Sequence, residues 1–169
     1  KAAIPQCGNN LVVNGGFEEP DISKNPYPSN YVSFEDNIPG WQLLEGTEIE
    51  VDSQYIDYPI PEGSQFVELD AQKETVKIAQ EIPTEVGKKY KLSFAFKANS
   101  PTQNILNVRW GNKNVLNLEK TQKDTVWQTY TDDKLEATTT STTLSFDNLN
   151  EELDGYGFHI DAVKVQLCE

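Results

Sequence analysis

The chain has no methionine, one histidine and two cysteines, and only 14 basic residues stand against 27 acidic ones. Each scarcity excludes a class of chemistry. With His159 as the single imidazole there is no His/Cys zinc cluster, and no Gly-x-Ser-x-Gly elbow accompanies it to build a hydrolase triad. No Gly-x-Gly-x-x-Gly or phosphate loop is present for a nucleotide. A net charge of −13 repels a phosphate backbone, whose affinity for proteins comes from Lys and Arg displacing counterions, so nucleic acid is not expected as a partner. No run approaches the ~20 apolar residues of a membrane span, so membrane insertion is not expected either. The carboxylates are too abundant for any pair of them to single out a glycosidase. The expectation is that the chain is not an enzyme.

The two cysteines, Cys7 and Cys168, lie almost at opposite ends of the 169 residues. If the first and last strands run side by side, a Cys7–Cys168 disulfide pins both termini and closes nearly the whole chain, worth up to roughly 5 kcal/mol. That bond implies an oxidising compartment and a secreted or cell-surface location; the alternative is two free thiols in a cytosolic protein. A start at Lys1 fits a mature product whose signal peptide has been removed.

What is abundant is alternation. Tyr90, Leu92, Phe94 and Phe96 share one phase, as do Leu106, Val108 and Trp110, with Asn107 and Arg109 opposite. Val76, Ile78 and Ile82, Ile49 and Val51, Val67 and Leu69, and Leu144 and Phe146 repeat the period of two that marks half-buried strands. Phe158-His159-Ile160 and Val163, Val165, Leu167 are out of phase with each other, which places a β-bulge near Asp161 and Ala162. Turn signals such as Asn14-Gly15-Gly16, Pro39-Gly40, Pro61-Glu62-Gly63 and Gly155-Tyr156-Gly157 divide the chain into ten or eleven short strands. Residues 19 to 38, with Pro20, Pro26, Pro28, Tyr27 and Tyr31, read as a long aperiodic loop, and Ser53 to Glu62 as a second. Thr138 to Thr143 reads as a turn entering a strand. The expected fold is all-β: a two-sheet antiparallel β-sandwich in one domain over residues 1–169, probed by seven Phe, seven Tyr and three Trp as core.

Asn10-Leu11-Val12-Val13-Asn14-Gly15-Gly16-Phe17-Glu18, Pro39-Gly40-Trp41, Ile78-Ala79-Gln80, Tyr90-Lys91-Leu92-Ser93-Phe94, Trp127-Gln128-Thr129-Tyr130 and Phe158-His159-Ile160-Asp161-Ala162-Val163 together resemble the galactose-binding-domain-like jelly rolls. The resemblance is to carbohydrate-binding modules of the family 4, 9 and 22 type and runs from about Asn10 to Leu167. It implies a lectin-like, monomeric module, free-standing or carried by a larger protein, that binds polysaccharide or glycan. It also implies a structural calcium where the first turn meets the last strand, with Glu18 and Asp161 as ligands and Ala162 where the family often has a second Asp. The other class of function open to such a domain is a structural or adhesive role on an extracellular surface protein without sugar binding.

Sugar recognition needs flat aromatic faces for pyranose C–H groups and planar amides or guanidinium groups for hydroxyls. Asn107 and Arg109 are the favoured polar pair, on an outward face expected to carry Lys91, Ser93, Lys97 and His159 as well. Tyr55, Tyr58, Tyr27 and Tyr31 are candidate stacking residues. Trp41 and Trp127 sit at positions expected in the core. Trp110 shares the inward phase and reaches ligand only if the end of its strand twists outward. Gln80, in phase with Ile78 and Ile82, is expected to be a buried amide bonded to loop backbone.

Overall fold

A computed structural model describes residues 6–24, 26–27, 30–70 and 73–169; Pro28 and residues 1–5 lie outside them. Among these residues eleven strands follow one another: β1 (Tyr31–Phe34), β2 (Gln42–Glu45), β3 (Ile49–Ser53), β4 (Gln65–Glu68), β5 (Lys77–Pro83), β6 (Lys89–Ala98), β7 (Asn104–Trp110), β8 (Lys113–Lys120), β9 (Gln128–Glu136), β10 (Ser141–Asn148) and β11 (Phe158–Leu167). All pair antiparallel, in a six-stranded sheet ordered β1-β3-β4-β11-β6-β9 and a five-stranded sheet ordered β2-β5-β10-β7-β8. The chain is therefore all-β, a two-sheet sandwich. No helix among the described residues is long and apolar enough to cross a membrane.

The inward phase of each strand builds the core. Val51, Val67, Ile160, Leu92 and Phe94 from one sheet meet Ile78, Leu144, Phe146 and Val108 from the other, all at most 1% exposed. Phe94 stands edge-on to Phe146 at 5.0 Å and 90°, the quadrupole-favoured geometry for aromatic pairs. Trp41 closes one end, stacked on Phe17 at 5.3 Å.

The termini lie together as expected. Gln6 and Glu169 exchange backbone hydrogen bonds of 2.9 Å, and Gly8 and Leu11 donate to Leu167 and Val165. A Cys7–Cys168 disulfide joins them across a Cα–Cα distance of 4.1 Å. The bulge in β11 is present too: its register against β6 shifts between Asp161 and Lys164, and Ala162 adopts φ 52°. The first turn docks on this bulge, where Val163 N–H donates to the Gly15 carbonyl. A Cβ at position 15 would stand 2.1 Å from the Val163 carbonyl oxygen, so only glycine permits the approach.

Two expectations are corrected here. Residues 19 to 38 are not loop throughout: β1 forms against β3 at the sheet edge, Tyr31 opposite Asp52 and Phe34 opposite Ile49. Edge strands bury little, so no strict alternation was imposed on it. The outward face assigned to Asn107, Arg109, Lys97 and His159 together is in fact two faces. β6 and β11 belong to one sheet and β7 to the other, because the chain crosses the sandwich between Ala98 and Asn104; alternation fixes in or out but not which sheet.

Candidate functional site

Two polar regions flank the end of the six-stranded sheet near the first turn. One is an open cleft of about 760 Å³ between the first loop and the β3–β4 loop, lined by Glu18, Asp21, Tyr27, Asn30, Gln54 and Tyr55 among others. Its walls are held from behind. The buried Gln65 amide donates to the Phe17 and Pro20 carbonyls and accepts from Ile22 N–H, tying the first loop to β4. Glu18 Oε1 accepts from Ser64 N–H and Gln65 N–H at 2.8 and 3.0 Å. Gly63, at φ 58° with a Cβ position overlapping Glu18, is the glycine that lets the loop close over this carboxylate.

Asp161 is fully buried, accepting from Glu62 N–H at 3.1 Å and from Ala162 N–H at 2.8 Å. Burial, with Glu62 and Glu18 nearby, pushes its carboxyl up to about 8 despite those hydrogen bonds. Burial likewise raises Glu18, with Glu62 and Asp21 adding to the shift and the Ser64 and Gln65 amides opposing it. The two calcium candidates thus feel each other and Glu62 electrostatically, but the three do not converge as a ligand group: among the described residues, the acidic or imidazole trio whose ligand atoms lie within 4.8 Å of one another is Asp52, Glu68 and His159.

The other region is buried under the β3–β4 loop, on the outer face of the sheet. Glu50 pairs with Glu68 in register, and Glu68 with His159. His159 is 1% exposed, its Nδ1 3.0 Å from Asp57 and its Nε2 3.2 Å from Glu68. Asp57 in turn receives Lys97 at 2.7 Å. Burial alone would lower the imidazole, but the bonds to Asp57 and Glu68 outweigh it and raise His159. Asp57 is opposed by burial and lowered by His159 and Lys97. Asp52, with no such partner, is pushed up to about 10 by burial and by Glu50 and Glu68. Phe66 packs on His159 at 4.5 Å and Trp127 at 6.0 Å.

The structure thus disperses the sequence candidates. Tyr55 and Tyr58 are 78% and 77% exposed, and of the two only Tyr55 lines the cleft. Asn107 and Arg109 lie on the far sheet and are engaged locally: the Asn107 amide donates to Asn114 and Asn117 at 2.6 Å each, and Arg109 donates to the Asn112 carbonyl. Trp110 is 2% exposed and its indole N–H donates to the Glu136 carbonyl, although its edge reaches a separate groove of about 780 Å³ beside Lys89 and Lys134. His159 is not a surface residue but the centre of the buried cluster. Trp127, expected in the core, packs outside it on Phe66 at 5.5 Å, because it precedes β9 at a sheet edge. Gln80 is where it was expected, bonding Val13 N–H at 2.6 Å and the Val13 carbonyl at 2.9 Å. Asp52, Asp57 and Glu68 went unnoticed in the sequence; Glu50-x-Asp52 in strand phase was the available signal.

A family model matches residues 10–166, nearly the whole chain. The chain belongs to the family described as DUF642, protein of unknown function. No curated protein matches it. Among solved structures it is similar to a family 61 carbohydrate-binding module in complex with β-1,4-galactotriose, at 14% identity over 94% of this chain and 98% of that one, TM-score 0.55. It is also similar to a family 35 carbohydrate-binding module from an environmental isolate, at 16% identity over 79% and 91%, TM-score 0.52. These likenesses show the fold, a jelly-roll sandwich. A family 4 module stands at 19% identity over 94% and 99%, TM-score 0.49. The family 4, 9 and 22 type expected from the sequence is not singled out, the family 61 and family 35 likenesses belonging to other module families.

Proposed function

We propose that this domain is a non-catalytic carbohydrate-binding module that takes a polysaccharide or glycan outside the cell. The observation that carries the proposal is the cleft of about 760 Å³, in which Tyr27 and Tyr55 supply aromatic faces beside the carboxylates of Glu18 and Asp21 and the amides of Asn30 and Gln54. That combination stacks on a sugar's C–H face while bonding its hydroxyls. The fold shared with the family 61 module, itself solved with a galactotriose, supports it. The terminal disulfide supports an oxidising, extracellular setting.

Calcium is part of the proposal. Glu18, Glu62 and Asp161 offer hard oxygens in a partly buried acidic neighbourhood, the chemistry that such a cation takes. Bound there, it would tie the first turn to β11; loop carbonyls or water would complete its shell.

Affinity electrophoresis through plant, algal and microbial glycans tests the sugar reading: at least one glycan retards the protein, and Tyr55→Ala weakens that binding about tenfold. No retardation by any glycan would overturn it. Calcium added to EDTA-treated protein raises Tm, and Glu18→Gln removes the rise; an unchanged Tm refutes the calcium assignment alone.

A further inference from the structure

The buried cluster on the outer face of the six-stranded sheet is not used by the proposed sugar cleft or by the calcium candidates. One ligand atom each from Asp52, Glu68 and His159 lie within 4.8 Å of one another, and all three residues are buried. Asp52 is 2% exposed, and its Oδ1 has no hydrogen-bond partner among the described residues. A buried carboxylate oxygen without a partner is unfavourable unless something binds it.

We propose that Asp52, Glu68 and His159, with Glu50 beside them, form a site for a divalent first-row transition ion, Zn²⁺ or Mn²⁺. Three features support it. The first is charge. Lys97 matches Asp57, which leaves three carboxyl groups, Glu50, Asp52 and Glu68, around one imidazole in a desolvated pocket; a divalent ion supplies the positive charge that lets them be ionised together. The second is orientation. Asp57 accepts from His159 Nδ1–H at 3.0 Å, the carboxylate–histidine arrangement that fixes the ring's orientation, so that a metal displacing the Nε2 proton, now shared with Glu68, would find that nitrogen aimed at it. The third is spacing. His159 Nε2 and Glu68 Oε2 are 3.2 Å apart, close to the ~3.3 Å edge of a tetrahedron with ligands at about 2.0–2.1 Å.

The donor set selects the ion. An imidazole nitrogen among few carboxylates suits zinc or manganese, whereas calcium wants six to eight oxygens. The Phe66 and Trp127 rings packed on His159 keep the pocket dry and strengthen the binding.

The test uses the whole chain, stripped with EDTA and returned to excess CaCl₂ so that surface carboxylates and the Glu18 region are occupied. ZnCl₂ is titrated by calorimetry, and MnCl₂ by loss of its free-ion electron paramagnetic resonance signal. At least one of the two metals is expected to bind with a saturable stoichiometry of one and to raise Tm. Asp52→Asn removes that step while leaving the metal-free Tm close to the parent's, since the amide N–H donates to Glu68 as the protonated acid does. Asp57→Asn keeps all three ligands and weakens affinity roughly 10–100-fold through the lost orientation; it carries the test if Asp52→Asn fails to fold. Glu18→Gln leaves the step intact. Non-saturable binding of both metals, or a step that survives both Asp52→Asn and Asp57→Asn unchanged, overturns the proposal: the Asp52–Glu68 contact is then a shared proton.

Discussion

Replacing both cysteines by serine isolates the contribution of the terminal cross-link. Cys7 and Cys168 are separated by 161 positions, so the bond constrains nearly every conformation of the unfolded chain. In the chain-entropy picture such a loop removes about 17 cal/mol/K from the unfolded ensemble, about 5 kcal/mol at 25 °C. The folded side changes little, because the Gln6–Glu169, Gly8–Leu167 and Leu11–Val165 backbone bonds keep the termini adjacent without the sulfurs. An unfolding entropy of about 2.1 cal/mol/K per residue makes that loss equivalent to a fall in Tm of about 14 °C, and one of 3 kcal/mol to about 8 °C. Differential scanning calorimetry of Cys7→Ser/Cys168→Ser against the oxidised parent measures it. A fall under about 3 °C would refute the reasoning and locate the stabilisation in the terminal β-bridge itself.

Other perturbations separate the remaining roles. Tyr55→Ala should weaken binding of a retarding glycan about tenfold, the value of one aromatic contact, whereas Arg109→Ala should leave the affinity unchanged; the reverse pattern, read by affinity electrophoresis, moves the sugar to the five-stranded sheet. Gln80→Leu should cost about 2–3 kcal/mol in urea unfolding, because it orphans both polar groups of Val13; a loss below 1 kcal/mol means that water replaces the amide. Burial and Glu45 raise Asp147 from 3.8 to about 6, with Lys77 opposing. A raised carboxyl binds its proton more tightly when folded, so its charged form detracts from stability as pH climbs from about 4 to 6. Asp147→Asn should therefore raise stability by roughly 1 kcal/mol at pH 7 after discounting for solvent screening, with no gain at pH 3.5; an equal gain at both pH values contradicts the assignment.

The fold was legible because its signals are local. Tyr90 to Phe96 and Leu106 to Trp110 alternate because each strand has one buried face, and the phase slip at Asp161 and Ala162 is a bulge that leaves its mark in sequence. The outward surfaces were harder to assign, since alternation does not say which sheet a strand joins. Asn107 and His159 consequently looked like neighbours while lying on opposite sides of the molecule. His159 itself shows the limit of reading exposure from phase. It does point away from the core, yet Asp57 on the β3–β4 loop folds back over it, and a cover from 102 residues away in the chain has no periodicity to announce it. Asp52 and Glu68 escaped notice for the same reason: among 27 acidic residues, only the fold shows which ones are out of water.

The Asp57 anchor also bears on how the cleft meets a ligand. Held to Lys97 at 2.7 Å and to His159 at 3.0 Å, the arm carrying Tyr55 has already given up much of its conformational freedom when the chain folds. If the cleft takes a glycan as proposed, the ligand meets a platform set in place and needs to immobilise little beyond its own glycosidic torsions. Loosening that anchor should appear as faster release from an otherwise intact cleft, with the aromatic contact still present but no longer waiting in position.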